Sequence, residues 1–151
     1  MTTPVILTGA GSFLGAYVLK ALDAKGIDTF ALSREATAVC RRNSLSARFK
    51  PVEIDLSVPE QAWRPPSDGP HAIIHLAFDR MVSADSAQGT KFNSRITQNV
   101  LGICRASNIS SIVNASSTSV YGKPDGGLVS VETAPISPSA YGVAKLSAEQ
   151  L

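Results

Sequence analysis

The sequence has few of the features that mark secreted, membrane-spanning or metal-binding proteins. It contains 2 cysteines among 151 residues, Cys40 and Cys104, which stand far apart and outside any CxxC spacing. This scarcity favours a reducing compartment and argues against a disulfide framework or a metal site. No segment reaches the roughly 20 apolar residues of a membrane span, and no basic and apolar leader pattern opens the chain. We therefore expect a cytoplasmic protein without a membrane partner.

Long runs of one charge are also missing. The formal net charge is +2, and Arg41 and Arg42 form the only adjacent basic pair. Such a pattern gives no footprint for nucleic acid, so none is expected as a partner. His71 and His75 flank an apolar run without suitably spaced acidic or cysteine residues, which favours packed histidines over metal ligands. With 44% hydrophobic and 17% charged residues, the chain is expected to fold as one globular domain over residues 1–151.

Short apolar runs recur along the chain and alternate with segments of helical periodicity. The runs predict strands at 5–8, 27–32, 49–54, 71–77 and 109–115. Helices are predicted from residue 13 to the stop signal at 25–26, at 92–107 and at 141–151, with a helical or irregular stretch to 42 and a loop at 122–139. This alternation predicts an α/β fold, a Rossmann-type doubly wound parallel sheet with ligands beyond the carboxyl ends of its strands. A receiver-type fold would need an acidic cluster after the first strand, where glycines stand instead.

The first helix is expected to be amphipathic. Its apolar residues recur at helical spacing and predict one buried stripe, formed by Phe13, Leu14, Tyr17, Val18, Ala21 and Leu22.

A glycine-rich turn joins the first strand to this helix. Glycines allow a tight turn and a close approach of main-chain N–H groups to a pyrophosphate, and the helix N-terminus adds a favourable partial charge. Gly15 would let the helix pack closely on the strand. A tight turn without any ligand is the alternative, but its place at the start of a βαβ pattern favours a dinucleotide site. The expected binding residues in this turn are Gly9, Gly11, Ser12, Phe13 and Leu14.

The second strand ends without the acidic residue that would bind the ribose 2′-hydroxyl of NAD. Ser33 and Arg34 stand there instead, a hydroxyl and a guanidinium that suit a 2′-phosphate. They predict NADP as the cofactor, with NAD possible, although Arg34 could simply face solvent. Asp55 follows the third strand and could either accept the adenine amino group or cap the next segment.

Tyr141 and Lys145 stand four residues apart at the start of a predicted helix, so both project from one face. A nearby ammonium favours the phenolate and would make proton exchange with a substrate hydroxyl practical. The serine and threonine cluster at 116–119 follows the fifth strand, at the same edge as the glycine turn. Its hydroxyls could donate to a substrate oxygen, or could serve only in local turn chemistry.

Taken together, these motifs resemble the extended short-chain dehydrogenase/reductase family, the NAD-dependent epimerase/dehydratase group, over the whole chain. The stretch 116–122 is similar to the family's SSxxVYG, and 138–145 is similar to its helix start with YxxxK. The resemblance implies that Ser117 is the substrate-side hydroxyl, Tyr141 the acid/base and Lys145 its partner.

Other stretches extend the resemblance. It implies that Leu76 and Ala77, in the HLA stretch, lie near the nicotinamide ribose and that Asp55 and Leu56 contact adenine. Residues 93–101 resemble the family's NxxxTxNVL helix.

Two departures from the family pattern shape the expectations. Ser12 takes the place of the family's middle glycine, so the pyrophosphate contact should differ in detail. Family members continue past the last helix with a sixth strand and a small substrate domain, so the fold is expected to be truncated and the chain a poor catalyst. The predicted function is an NAD(P)-dependent epimerase/dehydratase or reductase that acts on a sugar nucleotide or another small hydroxy or keto compound. A homo-oligomer is one assembly to be tested. A dinucleotide-binding module without catalysis is the alternative.

Overall fold

The computed structural model describes residues 3–58, 63–66, 71–79, 87–107, 109, 111–123, 127–136 and 139–151. Its centre is a sheet of five parallel strands: β1 (Val5–Thr8), β2 (Thr29–Ser33), β3 (Phe49–Glu53), β4 (Ala72–His75) and β5 (Ser111–Asn114). The strand order is β3-β2-β1-β4-β5. All five predicted strands are confirmed, and so is their parallel arrangement.

Four helices connect and follow the strands: α1 (Phe13–Ala24), α2 (Ala36–Arg42), α3 (Ala87–Ala106) and α4 (Ala140–Glu149). The stretch after β2, predicted as helical or irregular, is therefore helical, and α3 begins five residues before its predicted start at 92. A 3₁₀ helix at Thr118–Tyr121 was not predicted.

The helices cover both faces of the sheet, as expected for a doubly wound fold. On one face, Leu19 and Leu22 of α1 and Val39 of α2 pack against inward residues of β1 and β2. On the other face, α3 packs against the opposite side of the same strands. Its apolar residues in that core are Ile96, Val100, Ile103 and Cys104. Because successive strand residues point to opposite faces, β1 contributes to both cores. The carboxyl ends of the strands stay open between the two helical layers.

The predicted buried stripe of α1 is wrong at four of its six residues, since Ala21 is exposed as well as the first three. Phe13 is 82% exposed, Leu14 51% and Tyr17 61%, whereas Gly15, Leu19 and Leu22 are buried. The reason is steric. A Cβ at Gly15 would overlap the main-chain oxygen of Gly9, so this side of the helix lies directly on the glycine turn. Residues four and seven positions later share that side, and they form the buried face.

Candidate functional site

A cleft of about 760 Å³ opens at the carboxyl ends of β1 to β4. Nine of the residues predicted to bind the cofactor line it: Gly9, Gly11, Ser12, Ser33, Arg34, Asp55, Leu56, Leu76 and Ala77. The remaining predicted residues do not form its wall. The side chains of Phe13 and Leu14 face solvent on α1, and Tyr141, Lys145 and Ser117 lie beside the cleft on α4 and at the 3₁₀ helix.

The glycine turn forms one wall of the cleft by close main-chain packing. Gly9 has φ +68°, and a Cβ there would lie 2.7 Å from the backbone nitrogen of Ala77. Gly11 faces Ser33, whose Oγ would be 3.0 Å from an added Cβ. Gly9 therefore requires a residue without a side chain, because of strain and contact, whereas a Cβ at Gly11 would fit only if the Ser33 side chain moved slightly. The first turn of α1 consequently lies directly over the end of the sheet.

Ser12 is compatible with this turn although it replaces a family glycine. Its φ is −78° and its ψ 166°, a conformation that any residue adopts. Its hydroxyl accepts a hydrogen bond from the main-chain N–H of Gly15 at 3.0 Å and so caps α1. The position thus gains an N-cap where glycine would leave the helix start uncapped.

The end of the cleft at β2 and β3 carries the polar residues expected near an adenosine. The Ser33 hydroxyl oxygen accepts from the main-chain N–H of Glu35 at 3.3 Å, and Arg34 is exposed. Asp55 accepts from both the N–H and the hydroxyl of Ser57, at 2.9 and 2.6 Å. The Ser57 hydroxyl bond is the main reason that the pKa of Asp55 lies below its usual value, and the nearby Arg34 adds to it. The bonds to Ser57 are those of a local turn, and Asp55 also lines the cleft, so its contact with adenine stays a prediction.

Two charged residues of this end were missed in the sequence. Glu35 and Arg42 also line the cleft, on either end of α2. Arg42 belongs to the basic pair noted in the sequence, but that pair did not indicate a site. Arg42 borders the cleft because α2 spans residues 36–42 and ends beside the edge of the sheet. The polar end of the cleft therefore holds two guanidinium groups, from Arg34 and Arg42, and two carboxylates, from Glu35 and Asp55.

A buried hydrogen-bond network forms the floor between β1 and β4. The Thr8 hydroxyl oxygen accepts from the main-chain N–H groups of Leu76 and Ala77, both at 3.2 Å. Its own proton is then donated to Nδ1 of His75 at 2.7 Å, which assigns the ring hydrogen of His75 to Nε2, facing the Thr97 hydroxyl at 3.4 Å. The Thr97 hydroxyl donates onward to a main-chain oxygen of α3, that of Asn93. Burial, with a contribution from Lys145, lowers the pKa of His75 to about 4, so the ring is neutral.

Two asparagines of α3 hold the loops that surround the cleft. The Asn93 side chain accepts from the main-chain N–H of Asp79 at 2.8 Å and donates to its main-chain oxygen at 3.1 Å. The Asn99 amide donates to the main-chain oxygens of Leu56 and Val58, at 2.8 and 2.9 Å. The sequence placed both in a family motif but gave them no role, because their partners are 14 or more residues away.

Lys145 does not line the cleft but contacts Phe78, which does. It is buried, and its ammonium donates to the main-chain oxygen of Ala115 at 2.8 Å. Burial lowers the pKa of this lysine. The ammonium also lies over the ring of Phe78, 4.3 Å from its centre, and the Tyr141 ring meets the same phenylalanine edge-on at 5.3 Å. The tyrosine and lysine thus share one aromatic neighbour, which lines the cleft.

Ser117 caps the 3₁₀ helix, which packs against α4. Its oxygen accepts from the main-chain N–H of Ser119 at 3.1 Å, so the hydroxyl proton can be donated elsewhere. Ser139 caps α4 in the same way by accepting from Gly142, and α4 therefore starts just before Tyr141. The Ser116 hydroxyl bonds to the Glu149 carboxylate, which also ties the end of β5 to α4.

Comparisons with known proteins agree with this architecture. A family model described as the NAD dependent epimerase/dehydratase family matches residues 5–151. The chain is 30% identical to a UDP-glucose 4-epimerase of Azospirillum brasilense, over 97% of this chain and 43% of that protein. It is 33% identical to a decarboxylating sterol-4-alpha-carboxylate 3-dehydrogenase of Dictyostelium discoideum, over 72% of this chain and 32% of that protein. The crystal structure of a UDP-galactose 4-epimerase has a TM-score of 0.79 at 22% identity, over 98% of this chain and 50% of that chain.

The chain therefore spans half or less of the length of each of these relatives. Within the described ranges, no helix has both the length and the apolar character that crossing a bilayer requires. The same ranges hold no cluster of three histidine, cysteine, aspartate or glutamate residues that could bind a metal ion.

Proposed function

Because the chain belongs to the NAD-dependent epimerase/dehydratase family, we propose that it is the dinucleotide-binding part of an enzyme that transfers hydride to or from a hydroxyl-bearing carbon. The observation that carries this proposal is the cleft itself. One end is lined by the glycine turn and by Ser33 and Arg34, and the other by Phe78, which contacts both Tyr141 and Lys145. Binding groups and proton-transfer groups thus meet at one edge of the sheet.

The residues of the turn fit a pyrophosphate. A Cβ at Gly9 or Gly11 would fill space that the structure uses for close packing, and both residues border the cleft. The N-terminus of α1 faces the same space, and its partial positive charge favours an anion. When bound, a nicotinamide dinucleotide supplies the hydride donor or acceptor. Gly9, Gly11 and Ser12 would hold its pyrophosphate, and Leu76 and Ala77 would border its nicotinamide ribose.

We propose NADP as the preferred cofactor. Arg34 and Arg42 both line the end of the cleft at β2, beside the Ser33 hydroxyl, and guanidinium groups bind phosphate through paired N–H donors. Glu35 and Asp55 line the same end, and their negative charges disfavour a 2′-phosphate there. Arg34 and Arg42 are both exposed, so their long side chains can turn toward a 2′-phosphate, whereas the Asp55 carboxylate is held by Ser57.

In the proposed site, each of the three chemical residues has a separate task. Tyr141 exchanges a proton with the substrate hydroxyl. Lys145 has three N–H donors and gives one to Ala115, which leaves two for hydroxyl groups of ligands. Ser117 is oriented by its bond from Ser119 and donates its proton to the substrate oxygen.

We propose a sugar nucleotide as the substrate class. The support is the similarity to a UDP-glucose 4-epimerase along nearly the whole chain. A hydroxysterol substrate is the second candidate, supported by the shorter match to the sterol-carboxylate dehydrogenase.

Two measurements test the proposal. Calorimetric titration with NADP and NAD should show binding that Gly11→Val abolishes, while Gly102→Ala, on α3 with no atom within 4 Å of the added Cβ, retains it. Any turnover of UDP-glucose, UDP-galactose or a sterol carboxylate, which we expect to be slow in this chain, should fall by at least about 100-fold in Tyr141→Phe and be kept in Tyr17→Phe. Binding without Tyr141-dependent turnover would support a binding module instead, and affinity unaffected by Gly11→Val would place the phosphates elsewhere.

A further inference from the structure

Phe78 occupies a fixed place between the cleft and α4. It follows Leu76 and Ala77 at the end of β4, lines the cleft and is half-buried. The next residue, Asp79, is held at both its main-chain N–H and its main-chain oxygen by Asn93. The backbone that carries the Phe78 ring is therefore tied to α3, and the ring has little freedom to move with its loop.

The ring contacts both members of the proposed catalytic pair. The Lys145 ammonium lies 4.3 Å from its centre, above the face of the ring. The Tyr141 ring meets it edge-on, with centres 5.3 Å apart and planes at 76°. The face of an aromatic ring carries partial negative charge, so it attracts the ammonium, and the edge-on arrangement is the favourable one for two rings.

This contact takes the place that a carboxylate usually holds beside a buried cation. Lys145 is 8% exposed, and the ion pair found among the described residues, Arg48 with Asp28, does not involve it. Its charge is instead compensated by the Ala115 oxygen and the ring face. His75 is close enough for Lys145 to affect its pKa, but its ring is neutral and adds no positive charge.

We propose that Phe78 is a positioning residue of the active site, whose ring holds the Lys145 ammonium and the Tyr141 phenol in their working arrangement. The inference rests on the proposed function of that pair. A carboxylate partner would occupy the N–H donors of the lysine. A ring face stabilises the charge without accepting a directed hydrogen bond, so two N–H groups stay available for ligand hydroxyls.

A spectroscopic test examines the contact without relying on activity. In the 151-residue protein, with its six lysines labelled at the ε carbon, the methylene protons of Lys145 should be shifted upfield by the Phe78 ring. A second shifted signal is expected from Lys50, whose ammonium lies 5.3 Å from the centre of the Phe30 ring. Lys145→Arg should remove only the first signal and thereby assign it. Phe78→Tyr, which keeps the ring, should retain the shift, and Phe78→Leu and Phe78→Met should abolish it.

Phe92→Leu is the matched control. Phe92 lines the same cleft but packs against the core of the α3 face, so the shifted lysine signal should stay in place. A Lys145 signal that stays upfield in both Phe78→Leu and Phe78→Met, or the absence of a shifted Lys145 signal in the parent protein, would overturn the proposal.

A double-mutant cycle tests the consequence for binding. Phe78→Leu should raise the Kd for the reduced cofactor by about 3- to 10-fold, the range expected for a partly shielded cation–π contact. In a Lys145→Met background, the same change should have less than about a twofold effect, because the ring has no ammonium to hold. Equal losses in both backgrounds would show that Phe78 acts independently of Lys145. No cofactor binding by the parent would refute the proposed function, and the NMR comparison would still decide the contact.

Discussion

The two ends of the cleft are built by different means. Around β1 and α1 the wall is main chain: Gly9, Gly11 and the cap at Ser12 bring backbone groups close to the open space. Around β4 the wall is made of side chains, above all that of Phe78, which contacts Tyr141 and Lys145 of α4 beside the cleft. The first end depends on the absence of side chains, and the second on their electrostatic match. Substitutions at the first end should therefore act through sterics, and those at the second through charge and proton position.

The largest effect is expected at Gly9, where the glycine turn contacts the main chain of Ala77 after β4. Gly9→Ala combines a positive φ with overlap of the Ala77 main chain, so it should destabilise the protein by roughly 2–4 kcal/mol and abolish cofactor binding. Gly26→Ala is the matched control, since Gly26 has φ +64° but no atom within 4 Å of an added Cβ. It should cost only about 1 kcal/mol, the strain alone. Denaturant unfolding of both variants measures the difference, and equal losses would contradict a role for the Ala77 contact.

The second prediction concerns His75 and the pH dependence of stability. His75 has a pKa of about 4 in the folded protein against 6.5 ordinarily, so between these values the unfolded chain binds a proton that the folded chain does not. Lowering the pH through this window should therefore favour unfolding, by about 3 kcal/mol in total at roughly 1.4 kcal/mol per pH unit.

His75→Gln isolates this contribution. The variant should be less stable than the parent at pH 7, and the gap should narrow as the pH falls from 6.5 to 4. Denaturation curves at several pH values test this, and a constant gap would mean that His75 does not resist protonation.

The third prediction separates the roles of the two guanidinium groups, Arg34 and Arg42, at the end of the cleft beside β2. Arg34→Ala should reduce a preference for NADP over NAD by about tenfold, because charge-assisted hydrogen bonds contribute roughly 1.5–3 kcal/mol. Arg41→Ala is the control, since Arg41 lies in the same helix as Arg42 but does not line the cleft. Equal affinities for the two cofactors in the parent protein would contradict the NADP assignment, and an unchanged ratio in Arg34→Ala would transfer the role to Arg42.

The smallest effect is expected at Ser12. Ser12→Gly restores the family's glycine and should change stability by only a few tenths of a kcal/mol, whereas Ser12→Ala should cost about 1 kcal/mol through loss of the cap. Thermal unfolding compares the two. An unchanged stability in Ser12→Ala would mean that the hydroxyl does not stabilise α1.

Much of the fold could be predicted because its signals are local. The strands are short apolar runs, and the glycine turn marks the passage from β1 to α1. Strand ends were less certain: β4 was predicted over 71–77 and spans Ala72–His75. Its last predicted residues lie past the ladder: Ala77 donates its N–H to the Thr8 hydroxyl, and the Leu76 N–H is shared between that hydroxyl and the Thr8 main-chain oxygen. A hydrogen bond between positions 68 or 69 residues apart has no local signal.

The sequence by itself determined the order of strands and helices, the site of the glycine turn and the identity of the hydroxyl, phenol and ammonium groups at the carboxyl edge. Only the tertiary structure decided which side of α1 is buried, because close packing at Gly15 outweighs the apolar stripe that starts with Phe13. It also decided that Phe78 and Ala115 share the Lys145 ammonium. Periodicity and residue type act within an element and can be read along the chain. The partners of a buried charge come from separate strands and helices, and they become neighbours only when the sheet brings its carboxyl ends together.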